Sequence, residues 1–403
     1  QTIRADVNGI SQAIEGGTNN NILDFSGTQL FGVTSVNGGD GADKLTSSQG
    51  DTALNGEGGD DTLIAVGNGK NTLNGGANND ILVGGVGESI LDGGSGDDSI
   101  TGGDNKDVII LGDGIDTVSA GGGDDIIGIG DEGLVIGEVI DGGAGSNTLD
   151  NVGTGALKIS AWGTTSSNIQ TIRADVNGIS QAIEGGTNNN FLDFSGTQLF
   201  GVTSVNGGAG NDTLTGGNEK NTLDGGSDAD LLIGGNKEDN LLGDAGNDTL
   251  NGGLGADDLK GDAGDDSLNG GDEKDILDGG NDNDILNGDA GEDVLLGKDG
   301  ADTLNGGNGK DNLTGGAGND SLNGGGDSDY FIFQGGFGVD QIFGFDGSDY
   351  IDLKAFGALG MKFTDLQITV SGANTLITSS FSGFGSITLQ GVASGINSSD
   401  FLL

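Results

Sequence analysis

The sequence predicts an all-β chain. It reads as a parallel solenoid of the β-roll or β-helix kind, with two acidic ladders, a β-rich spacer and a C-terminal β cap. Three observations predict it. From Gly207 to Asn323 the chain repeats every nine residues for thirteen units without insertion, and a fourteenth begins at Gly324. Glycine opens every unit, and the eighth position is Leu in the first thirteen and Phe331 in the last. The sixth position is Asp in thirteen of the fourteen. A fixed short period marks stacked repeats, each of which buries its apolar residue only against its neighbours.

The elements follow in chain order. Residues 1–37 are expected to be a β-solenoid repeat segment. The stretch QTIRADVNGISQAIEGGTNNNILDFSGTQLFGVTSVNGG at 1–39 returns at 170–208 with one change, Ile22 becoming Phe191. Near-identity at that length marks a tandem copy. The abrupt start inside a repeat leads us to expect the C-terminal part of a longer chain. Residues 38–129 hold a looser nonapeptide ladder, in units such as GGDGADKLT, GGSGDDSIT and GGDNKDVII. Its sixth positions carry Asp43, Asp61, Asp80, Asp98, Asp107, Asp116 and Asp125, with Thr52, Asn71 and Ser89 as breaks. Residues 130–206 lose the nine-residue beat but keep alternating runs such as LDFSGTQLFGVTSV. They read as wider coils or a β-rich spacer, containing the second copy of the duplicated segment.

Residues 207–332 form the regular ladder. Its sixth positions are Asp212, Asn221, Asp230, Asp239, Asp248, Asp257, Asp266, Asp275, Asp284, Asp293, Asp302, Asp311, Asp320 and Asp329. Residues 333–403 differ again. Ten of the fifteen Phe lie between Phe331 and Phe401, among strand-like fragments such as DQIFGF, DYIDL and GSITL. A solenoid must cover its last coil, and this aromatic segment is the expected cap.

Each unit divides into a turn of six residues and a strand of three. Gly permits the positive φ values of tight turns. Alternation sends the Leu inward and its neighbours outward. Two units then close one coil of eighteen residues, and coils stack as two parallel sheets. Such stacking sets Asp above Asp at about 4.8 Å. At an effective dielectric of ~20 each neighbouring pair repels by roughly 3 kcal/mol. A hard cation between turns reverses the sign. Calcium accepts six to eight oxygens in irregular geometry, whereas magnesium demands stricter octahedra and keeps its water. The chain has no His and no Cys, which disfavours zinc and copper.

At this point the unit G-G-x-G-x-D-x-U-x resembles the hemolysin-type, or RTX, calcium-binding nonapeptide. The resemblance covers 207–332 strongly and 38–129 in degenerate form. It implies a parallel β-roll with on the order of ten or more calcium ions between turns two units apart. It implies a first site of Asp212 and Asp230 with the carbonyls of Gly207, Ala209, Gly226 and Asp228. The next would use Asn221 and Asp239 with the carbonyls of Gly216, Asn218, Gly235 and Lys237. Asn221 lacks the charge, so that site is expected to be weak or vacant. The segment DYFIFQGGFGVDQIFGFDGSDYIDL resembles the cap behind such repeats. NTLITSSFSGFGSITLQGV and the final SSDFLL resemble an uncleaved C-terminal type I secretion signal. A type I exporter is therefore an expected partner, and the expected location is extracellular, at the cell surface.

Composition narrows the function. With 63 acidic against 14 basic side chains the net charge is −49, which repels nucleic acid and anionic membranes. No apolar run approaches the ~18 residues of a membrane span. GNGK is followed by Asn71 or Asp311 where a P-loop needs Ser or Thr, which argues against a P-loop, and neither HExxH nor GxSxG occurs. No enzyme is expected. Two classes remain: a calcium-folded structural protein that assembles with itself into a surface layer, sheath or fibre, or an export module of a larger secreted enzyme, toxin or adhesin. Ice binding ranks low, because the outward residues vary.

Overall fold

A computed structural model describes residues 2–4, 12–135, 137–159, 161–162, 166–174 and 180–403. Parts of the predicted first repeat segment (1 and 5–11) and of the spacer (136, 160, 163–165 and 175–179) lie outside the described residues. The chain divides into two compact units, Gln1–Gly186 with Gly196–Thr203 and Thr187–Ser195 with Ser204–Leu403. Each is a parallel β-solenoid.

In the first unit an eight-stranded and a ten-stranded sheet face each other across the apolar residues, and every described pairing within them is parallel. Leu82 pairs with Ile100, eighteen positions on. The extra residue of AVGNGKNTLN widens one coil, so Leu54 pairs with Leu73. Farther along the coils widen again. Val118 pairs with Ile140 and Leu149 with Ile172. The described strands between 139 and 173 are thus wound as wider coils of the first unit's solenoid. The inward Val118, Ile140, Leu149 and Ile172 stay buried through these wider coils.

The second unit keeps the eighteen-residue coil from Leu214↔Leu232 to Leu304↔Leu322. Its inward Leu223, Leu241, Leu259, Leu277, Leu295 and Leu313 are fully buried. Strands such as Thr249–Leu254 and Ser267–Asp272 run six residues. The expected three-residue strand is therefore too short. Pairing continues through the glycines, as in Gly253↔Gly271. The reason is steric: a Cβ on Gly253, at φ 105°, would strike the Gly235 carbonyl of the coil beneath. Glycine favours this ladder contact, although Asp244, Asp262, Asp289 and Lys298 hold the same place at φ 66, 70, 66 and 80°, as in Asp289↔Gly307.

Past the last nonapeptide the coils become twenty residues, with Leu322↔Ile342 and Phe331↔Ile351. Ser386–Leu389 then pairs antiparallel with Asn374–Ser379, which pairs antiparallel with Leu366–Ser371. Phe337 contacts Phe333, Phe356 and Phe384 at 4.9, 5.9 and 5.0 Å between ring centres. Phe401 pairs with Ile351. Among the described residues no helix is long and apolar enough to cross a membrane.

Candidate metal centres

Each sixth-position Asp sits immediately before a strand, where the turn hands the chain into the ladder. Its two oxygens meet different fates. Oδ1 accepts the backbone N–H of the ladder residue one coil earlier. Asp230 accepts from Asp212 at 2.7 Å, Asp257 from Asp239 at 2.7 Å, and Asp320 from Asp302 at 3.0 Å. The carboxylates are thereby strung into two files along the second unit. One runs Asp212, Asp230, Asp248, Asp266, Asp284, Asp302, Asp320. The other runs Asn221, Asp239, Asp257, Asp275, Asp293, Asp311, Asp329.

Oδ2 has no such partner. From Asp212 to Asp320 the Oδ2 atom of every file aspartate is buried without a hydrogen bond. Each leans over the first glycine of its own repeat. A Cβ on Gly252 would displace the Asp257 oxygen, and one on Gly207 would displace that of Asp212. The opening glycine is what lets the carboxylate lie inside the turn.

Burial raises the pKa values of the file carboxyl groups. It pushes Asp230 up to about 7, opposed by the Asp212 N–H and reinforced by the charges of Asp212 and Asp248. Asp275 and Asp284 also rise to about 7, and Asp239, Asp248 and Asp266 to about 6, with burial again the largest cause. A buried carboxylate without a counter-charge is held at high cost, and a cation or a proton must relieve it. Oxygen donors alone, in repeated pairs, suit a hard cation of the calcium type.

In the first unit one file holds Asp43, Asp61, Asp80, Asp98 and Asp116, linked by the same N–H to Oδ1 bond. The other begins with Thr52, Asn71 and Ser89 and acquires Asp107 and Asp125. The neutral members fill their places with hydrogens. The Ser89 hydroxyl donates to the Gly84 carbonyl at 2.8 Å, Asn71 Nδ2 to Gly69 at 2.9 Å, and Thr52 Oγ1 to Gly50 at 3.1 Å. At Asn221 the amide oxygen keeps the carboxylate's pose, buried and unpaired, one charge short.

The carbonyl-bearing residues of the implied ligand sets lie on the turns beside the files. Gly207 and Gly216 are buried, Ala209, Gly226 and Gly235 half-buried, and Asn218, Asp228 and Lys237 exposed. Sequence reasoning missed several file members. The Asp320 N–H donates to Asp340 Oδ1 and the Asp329 N–H to Asp349 Oδ1, twenty residues on. In the wider coils Asn147 accepts the Asp125 N–H, and Glu138 stands one coil beyond Asp116. A signal existed: each missed residue precedes the x-apolar-x strand start, as in DQIF, DYID, NTLD and EVID. Among the described residues no three His, Cys, Asp or Glu side chains converge on one point. Each step of a file offers two carboxylates, so turn carbonyls must complete any coordination.

The RTX calcium-binding nonapeptide repeat matches the chain in overlapping segments from 32 to 128 and from 201 to 355, more than half its length. The chain belongs to the RTX family. RTX repeats bind calcium, and RTX proteins are typically secreted. No curated protein matches the RTX chain. Among solved structures it is similar to the AlgE6R2 subunit of the Azotobacter vinelandii mannuronan C5-epimerase. There the identity is 32%, with 30% of this chain and 88% of that one covered and a TM-score of 0.24. The AlgE6R3 subunit of the same enzyme is 30% identical, covering 33% and 80%, with a TM-score of 0.20. Likeness to repeat subunits of an epimerase does not make this RTX chain an enzyme.

Proposed function

We propose that this RTX protein is a secreted structural protein that folds on calcium outside the cell and assembles with its own copies into a surface layer, sheath or fibre. The observation that carries the reading is the double file of buried, unpartnered Oδ2 atoms. Each consecutive pair of file carboxylates supplies two ligands, and turn carbonyls supply the rest. For the pair Asp212 and Asp230 these are the carbonyls of Gly207, Ala209, Gly226 and Asp228. Calcium supplies the positive charge that cancels repulsion along each file.

Export follows from the same chemistry. Cytosolic calcium is scarce, so the chain stays unfolded there and threads through a type I exporter, folding once outside. Assembly rests on charge and repetition. With a net charge of −49 metal-free chains repel, and bound calcium lowers that barrier. The copies at 1–39 and 170–208 would offer the same contact surface twice. Light scattering and negative-stain microscopy of the whole chain test this. Calcium should drive ordered assembly, and chelation should dissolve it. A calcium-loaded chain that stays monomeric at high concentration would favour an export module instead.

A further inference from the structure

Glu138 lies outside the matched repeats, which stop at residue 128 and resume at 201. Yet Thr117↔Val139 and Val118↔Ile140 place it one coil beyond Asp116. It therefore extends the file of Asp43, Asp61, Asp80, Asp98 and Asp116. Glu138 is 5% exposed and Asp116 0%. Glu138 Oε2 and Asp116 Oδ2 are both buried without a hydrogen-bond partner. The coil joining them is longer than the regular one, and a glutamate reaches one methylene farther than aspartate from the same backbone position.

We propose that Asp116 and Glu138 hold a further calcium ion, which closes the acidic file of the first unit. Two buried carboxylates stacked one coil apart require a cation or a shared proton. Oxygen-only donors in an irregular turn favour calcium over magnesium or zinc. The proposal rests on the calcium reading of the repeats and extends it to a coil outside the nonapeptide pattern.

The test uses the full chain as wild type, Glu138→Gln, Asp116→Asn and the double variant. Hydrogen exchange is followed in saturating calcium, with far-UV circular dichroism during calcium titration. A calcium site predicts that E138Q speeds exchange in Thr117–Gly121 and Val139–Asp141 by about tenfold or more, the factor that corresponds to 1.4 kcal/mol. Exchange in the regular ladder should not change. Asp116→Asn should act at least as strongly, because Asp116 also pairs with Asp98, and the double variant no more strongly than Asp116→Asn alone. Slower or unchanged exchange in E138Q would overturn the proposal, because glutamine replaces a shared proton without loss. Additive effects of the two substitutions would overturn it too. Failure of the wild type to fold in calcium would instead defeat the functional reading.

Discussion

At the scale of one residue, the file aspartate does two separable jobs. Its Oδ1 satisfies a buried backbone N–H, and its Oδ2 waits for a cation. Asp257→Asn keeps an acceptor for the Asp239 N–H and removes only the charge. Asp257→Ala removes both and strands that N–H at a cost of about 1–3 kcal/mol. In saturating calcium the Ala variant should therefore melt below the Asn variant, and both below wild type, by differential scanning calorimetry. Equal melting points would mean that Oδ1 carries no structural load. Gly252→Ala should destabilise by roughly 1–3 kcal/mol, because its Cβ expels the Asp257 carboxylate.

The pH dependence also belongs to the residue. Burial raises Asp230 and Asp284 to about 7 and Asp248 to about 6, above the ordinary carboxylate value of 3.8. The metal-free fold binds more protons than the unfolded chain between about pH 4 and 7, so its stability falls as pH rises through that window. In chelator, β content by circular dichroism should increase as the pH is lowered from 8 to 5. With calcium present, protons compete for the same oxygens of the folded chain, so more calcium should be needed to saturate the sites at pH 5 than at pH 8. Metal-free chain that loses β content on acidification would contradict this account.

At the scale of the coil, the period made the fold legible. Inward Leu, glycine-opened turns and the Asp before each strand could all be placed from spacing alone. What escaped were coils that left the period. Glu138, Asn147, Asp340 and Asp349 keep the same place relative to their strands while turn length varies. A search for a fixed interval passes over them, whereas the bond from N–H to side-chain oxygen finds Asn147, Asp340 and Asp349, and strand pairing finds Glu138. Strand length escaped for a different reason. Glycine signals a turn in sequence, but here it permits close ladder pairing. The neutral coils give an element-scale prediction. Asn71→Asp with Ser89→Asp replaces hydrogen-bonded plugs by carboxylates and should raise the calcium bound per chain, measured by equilibrium dialysis. Deleting 207–329 should remove most of it. A deletion that left stoichiometry nearly unchanged would refute the ligand assignment.

At the scale of the whole molecule, stability hangs on neutralising many aligned carboxylates at once. The inward Leu columns and backbone ladders define the shape, but each coil that carries a file aspartate adds another buried charge. Calcium bound only to the folded state stabilises it by mass action at every site. The measurement that tests this most directly is far-UV circular dichroism of the whole chain at neutral pH. The account predicts a coil spectrum in excess EGTA, a β spectrum in millimolar calcium, and little recovery with magnesium. A full β spectrum in EGTA would contradict it.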